Sequence, residues 1–486
     1  MLCSTQRRTW GLAGLLILGA LLASCNRTPV AYVSGLCGNR AAPSQEGGSS
    51  TAALSPASVQ RFPNDAPLAV IVRFRASAPS ASIGQAFSVG KVTLRYGRAL
   101  AMANTFVYHL EVPVAADDRV LAATLDELRG RADVEYAERD ERLTVSKAPN
   151  DQDYPEQWNL TAVNMPQAWE VATGSPRSVI AVLDTGILFD PRRPACRHPD
   201  LEGKVLPGAD FISDPGVSGD GGGRDSDPYD PGGDQPDGSS SYHGTHVAGI
   251  AAAATNNALG VAGVNWNARI LPVRVLGRNG GVVSDVADAL LWAAGIKVLG
   301  APFNPTPAHV INLSVGGQGS ACPASLQRAI DTVVNRGVVV VAAAGNSGQD
   351  VSGIFPANCS GVISVGATTR GGNRASYSNY GVGLDLMAPG GSESDGVYNL
   401  LGDDVYANTD PRFYTYAPVA GTSMAAPHVA ALAALLKEQR PGLTPAQVVQ
   451  RLRNTAIPLT ATQCGRVGSS ECGAGLIDAA RALGQP

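Results

Sequence analysis

Near-continuous apolar runs alternate with stretches of helical spacing along the larger, C-terminal part of this chain. Ser178 to Leu183, Val310 to Ser314, Val338 to Ala343 and Val362 to Val365 read as strands apolar on both faces, the pattern of buried parallel strands. Ser284 to Val298, Ser325 to Asn335 and Thr444 to Asn454 read as helices between or after them. The alternation predicts an α/β fold, a doubly wound and mostly parallel sheet, with ligand sites beyond the carboxyl ends of its strands.

A different pattern runs from about residue 61 to 147. Leu68 to Phe74, the alternating Phe106 to Val112 and Val134 to Glu138 predict strands, and Asp118 to Arg131 predicts a helix with Val120, Leu121, Leu125 and Leu128 on one face. Together they predict a small α+β domain with an antiparallel sheet. Ala148-Pro149-Asn150-Asp151 follows as a boundary, which puts the larger domain at 148–486. Residues 26 to about 60, rich in Gly, Ser, Ala and Pro, read as a flexible spacer.

The first residues read as an export signal. Arg7 and Arg8 precede the apolar run Leu12 to Leu22, which is short for a membrane span. Leu22-Ala23-Ser24-Cys25 resembles the bacterial lipobox, and the resemblance implies cleavage before Cys25 and lipidation of its thiol, with possible membrane attachment. Asn26 follows, so the usual aspartate of inner-membrane retention is missing. Eight cysteines suit export, and none of their spacings suits zinc. Cys464 and Cys472, in one C-terminal loop, are expected to pair. A formal net charge of -4 gives no basic surface for nucleic acid.

Ser213 to Ser241 is an insert of Asp, Gly, Pro and Ser, too polar to bury and therefore expected at the surface. Its carboxylates, Asp225, Asp227 and Asp230 among them, are candidate calcium ligands, although the spacing is not that of an EF-hand.

Four residues carry complementary chemistry at predicted strand or helix ends. Asp184 ends V-L-D-T-G, His243 opens H-G-T-H-V-A-G, Asn346 ends A-A-G-N, and Ser423 lies in G-T-S-M-A-A-P-H at the start of an apolar helix. A serine hydroxyl needs a base, histidine is the side chain that titrates near neutrality, and a carboxylate on its second nitrogen sets the tautomer. An amide can stabilise a tetrahedral oxyanion. Pro427 is expected in the first helical turn, where no intrahelical donor is needed. His246, three residues past His243, lacks the glutamate of a zinc motif and reads as structural.

These motifs, in the order Asp, His, Ser, resemble the subtilisin-like serine proteases from about residue 150 onward. The resemblance implies an exported serine endopeptidase, monomeric, acting on polypeptides. Asp184 would be the orienting acid, His243 the base, Ser423 the nucleophile, and Asn346 the oxyanion donor with the Ser423 amide. Ser314-Val315-Gly316 and Ala343-Ala344-Gly345 match the segments lining the family's pocket for the residue before the scissile bond, and Ile354 would stand at its floor and make it shallower. Structural calcium is implied at Asp200 of H-P-D-L, at Asn257 with the Leu259 and Val261 carbonyls, and at Asp151. Residues 61–147 are similar to the family's inhibitor-type propeptides, of ferredoxin-like α+β fold, removed by self-cleavage near 146 to 149. Relatives pair positions like Cys322 and Cys359. Cys196 lacks its usual partner, and a Cys37–Cys196 bond would tie the enzyme to its leader. Two other readings remain: a silent subtilase fold acting as a binding module, and an aspartic protease, since D-T-G is also that family's signature although it occurs once here.

Overall fold

Seven strands whose residues are nearly all buried pair in parallel in the computed structural model, in the order Leu386–Pro389, Val362–Thr368, Val339–Ala343, Val310–Leu313, Val179–Asp184, Arg269–Arg274 and Ala209–Asp210. The structure describes residues 69–484 apart from 77, 79–83, 91, 112–117, 141–146, 194–195, 404–413 and 466–468. The export signal, Cys25, the spacer and Cys37 lie outside the described residues.

Alternation of side chains along each strand builds two cores. Ile180 and Val182 point into one, which the helices His243–Ala252 and Thr422–Gln439 cover. Val179, Ala181 and Leu183 point into the other, covered by Val283–Ala293 and Ala324–Asn335. After Val179–Asp184 the chain goes to the edge strand Ala209–Asp210 on one side and returns to place Arg269–Arg274 between the two. It then crosses to Val310–Leu313 and continues outward on the other side. The strand order therefore reverses between Val179–Asp184 and Val310–Leu313, and a crevice opens there beyond the carboxyl ends.

The N-terminal segment has its own apolar core, centred on Val70, Val72, Tyr108, Leu125 and Leu128. Its antiparallel sheet has the order Phe87–Val89, Val92–Ala99, Thr105–Glu111, Ala69–Phe74, Val134–Arg139. Thr105–Glu111 and Val134–Arg139 flank Ala69–Phe74, and the helix Asp118–Arg129 connects them. That is the split βαβ unit of a ferredoxin-like half. No helix is present among the described residues of the other half.

Candidate active site

Asp184 is the last residue of a central strand, and its carboxylate is fully buried. Its Oδ1 accepts from the Thr185 amide at 2.8 Å and pairs with His243 Nδ1 at 2.7 Å. Its other oxygen is buried without a hydrogen bond. The partner of Asp184 is thus a histidine and not a second carboxylate. Two glycines permit this approach. Gly186 has φ +101°, and a side chain there would meet Pro228 O at 2.6 Å. A Cβ on Gly244, beside His243, would lie 2.1 Å from Gly186 O.

The acidic insert reaches beneath this pair. Thr185 Oγ1 accepts from the Gly244 amide at 3.0 Å and donates to Asp230 Oδ2 at 2.6 Å. Asp230 is buried, and burial raises its pKa to about 6. Arg274, buried at the end of its strand, pairs with Asp210 of the neighbouring strand, holds the insert through Asp220 and Ser218 O, and donates to Thr185 O at 3.1 Å. Burial lowers the His243 pKa, but Asp184, with Asp234 and Asp230 behind it, outweighs burial and leaves it raised.

Ser423 is the second residue of its helix, so its amide has no intrahelical acceptor. The helix starts at Thr422, which places Pro427 beyond the first turn expected from the sequence. An amide at 427 would bond Ser423 O. Proline has none, and Ser423 O instead accepts from Ser314 Oγ at 2.8 Å, while Ser423 Oγ donates to Ser314 O at 3.3 Å. Buried Asn312 donates to Ser314 Oγ at 2.9 Å. The Ser423 hydroxyl thus rests on Ser314 and makes no hydrogen bond to His243.

Asn346 follows the strand Val339–Ala343. Its Oδ1 accepts from both the amide and the hydroxyl of Thr422, at 2.9 and 2.8 Å. With the oxygen occupied, its Nδ2 is left as a donor beside Gly421. Asn379 shapes the loop by accepting from Ser347 and Gln349 amides and donating to Ala344 O.

A cleft of about 550 Å³ runs past His243, between Leu276–Val283 and Ser314–Gly317. Ala343, Ala344 and Gly345 do not line it, nor does Ile354. Ile354 instead lies between two glycines, its Cγ2 3.4 Å from a Cβ built on Gly316 and its Cγ1 3.5 Å from one built on Gly345.

The family model described as the subtilase family matches residues 176–475. The chain belongs to the subtilase family. An extracellular protease of Xanthomonas campestris is 43% identical over 86% of this chain and 69% of its own length. An extracellular basic protease of Dichelobacter nodosus is 38% identical over 76% of this chain and 62% of its own. The solved structure of a protease from Pseudoalteromonas arctica PAMC 21717 superposes with a TM-score of 0.63 at 45% identity, covering 69% of this chain and 99% of that one. This subtilase is a serine-type endopeptidase.

The metal candidates fall into two groups. Asp151 and Asp200 lie close enough for the charge of one to raise the pKa of the other, and burial raises both, Asp200 to about 6. Neither has an ion pair; Asp151 accepts from the Asn256 and Asn257 amides, and Asp200 from Asn257 Nδ2 at 2.7 Å and the Val261 amide at 2.9 Å. Two buried carboxylates without an ion pair fit a hard cation, while Asn257 Oδ1 accepts from the Leu259 amide at 2.9 Å and would have to leave it to serve as a ligand. Leu259 and Val261 lie in the same loop. In the insert the three candidate carboxylates are turned to other partners. Asp225 caps the Asp227 amide, Asp227 pairs with Arg192, and Asp230 turns to Thr185. No cluster of three His, Cys, Asp or Glu side chains suited to a metal occurs among the described residues. Nor is the insert wholly at the surface, since Pro228, Tyr229 and Asp230 are buried.

His246 is fully buried against Ala417 O, its pKa pushed down to about 3 by burial. Cys322–Cys359 and Cys464–Cys472 are disulfides. Cys196 is buried, and Cys37 lies outside the described residues.

Proposed function

We propose that this subtilase is a secreted endopeptidase that cleaves peptide bonds through an acyl-enzyme on Ser423. The 2.7 Å bond from Asp184 to His243 Nδ1 carries the reading. It leaves Nε2 unprotonated and basic. In the reaction the Ser423 hydroxyl leaves Ser314 O for His243 Nε2. As Oγ bonds the substrate carbonyl carbon, its proton passes to Nε2, and Asp184 stabilises the imidazolium. Asn346 Nδ2 and the Ser423 amide donate to the oxyanion. The carbon–nitrogen bond then breaks, Nε2 protonates the leaving amine, and a water repeats the sequence to release the acid. Ser314 to Gly316 and Ala343 to Gly345 would hold substrate as an added strand, with Ile354 limiting the pocket between them.

Residues 61–147 would act as the chain's own propeptide and inhibitor, cut near 146 to 149; a lipid on Cys25 would anchor the uncut chain, and the cut enzyme only through a Cys37–Cys196 bond to its leader. The extracellular relatives support export. Calcium would be held by Asp151, Asp200, Asn257 and the Leu259 and Val261 carbonyls, and would serve stability and not the chemical steps. A serine-directed fluorophosphonate tests the function: Ser423 is expected to be labelled and casein hydrolysis lost, with Ser423→Ala inactive. A full-length, inactive and unlabelled wild-type protein would favour the binding-module reading instead, and inhibition by a statine peptide would favour the aspartic one.

A further inference from the structure

The cleft beside His243 has two chemically distinct walls. Val283, Val286, Leu326 and Phe355 contribute apolar surface from the helical side of the second core. Asp234, Ser241 and His243 contribute the polar wall, and Asp234 is the one carboxylate among the lining residues, which include no lysine or arginine. Asp234 is firmly held. It accepts from the Ser241 amide at 2.8 Å, the Ser241 hydroxyl at 2.6 Å and Gln235 Nε2 at 2.7 Å. All three donors are neutral, and they use both oxygens, the Ser241 amide Oδ1 and the other two Oδ2, so an asparagine would keep only part of the set while a glutamate keeps two acceptor oxygens. No ion pair to Asp234 occurs among the described residues. An uncompensated charge on the wall of a low-dielectric cleft favours a complementary charge in whatever binds there.

We propose that Asp234 is a specificity-determining residue, selecting a lysine or arginine side chain at the substrate position that lies against His243. The inference rests on the endopeptidase reading and deepens it, since it names the class of peptide that the cleft takes.

Fluorogenic peptides with Lys, Leu or Glu at each position before the scissile bond test it. At one of these positions kcat/KM is expected to follow Lys above Leu above Glu, and the Lys-to-Leu ratio should fall as salt rises to about 0.5 M. In Asp234→Asn the ratio should drop about tenfold, the scale of one partly screened charge pair. Asp234→Glu, which keeps the charge, should retain the preference and so separates charge from collapse of the loop. A wild-type enzyme indifferent to charge at every position, or an undiminished ratio in Asp234→Asn, would overturn the proposal. Turnover of no peptide at all would instead overturn the endopeptidase reading beneath it.

Discussion

If calcium occupies the proposed Asp200 site, its removal should make the protein's stability depend on pH. Burial lifts the Asp200 carboxyl from the usual 3.8 to about 6, and the nearby charge of Asp151 adds to the rise. A shift of that size corresponds to about 3 kcal/mol between protonation states. The folded pKa lies above the unfolded one, so the metal-free native state binds the extra proton between about pH 4 and 6. Its stability therefore falls as pH rises through that window and stays lower above it. A bound cation replaces the proton and removes the penalty. For a catalytic domain of roughly 340 residues, 3 kcal/mol corresponds to about 4 °C in Tm. The assay is thermal melting of the Ser423→Ala protein, which cannot digest itself, in excess calcium or chelator from pH 4.5 to 8. The two curves should nearly coincide at pH 4.5 and separate by several degrees above pH 6.5. Coincidence at every pH would refute the site, and an equal gap at every pH would place the ion away from Asp200.

Other outcomes follow from the same geometry. Ser423→Ala should remain full length on a reducing, denaturing gel while wild type loses everything up to about residue 147; maturation of the isolated variant would exclude self-processing. Asn346→Ala should lower kcat by about 10²–10³ with KM little changed, because the donor acts on the oxyanion. With its pKa raised, His243 becomes a neutral base only above the ordinary 6.5, so the acid limb of kcat/KM should lie above that value. Asp230→Asn removes one of the charges responsible and should move the limb to lower pH; an unmoved limb would discard this electrostatic coupling. Cys322→Ser should cost about 4 kcal/mol in denaturant unfolding, given the 37 residues between the cysteines.

The parallel sheet was legible because its strands are apolar on both faces, and Val310–Leu313 and Val339–Ala343 stand out for that reason. Arg269–Arg274 escaped notice because two arginines and Pro272 interrupt its apolar run. Its Arg274 is buried only because Asp210 and Asp220 arrive from elsewhere to meet it. Pro427 was placed too early in its helix, since the sequence does not mark Thr422 as the first helical residue. Asn312, Thr185 and Asn379 were missed altogether: each is an ordinary polar residue whose function appears only in what it touches.

Asp184, His243, Asn346 and Ser423 could be named from the sequence because each sits in a short motif whose residues also make its local turn or cap. Gly186 and Gly244 are part of that local grammar. The sequence likewise determined that the insert is acidic and that Cys464 and Cys472 are near neighbours. Only the tertiary structure decided what the insert's charges do. Asp230 is 45 residues from Thr185 yet bonds it at 2.6 Å, and Asp227 pairs with Arg192 across 35 residues. Carboxylates that look interchangeable along the chain were sorted by burial and by their partners. Hydrogen bonding and desolvation depend on distances in space, which local sequence patterns do not encode.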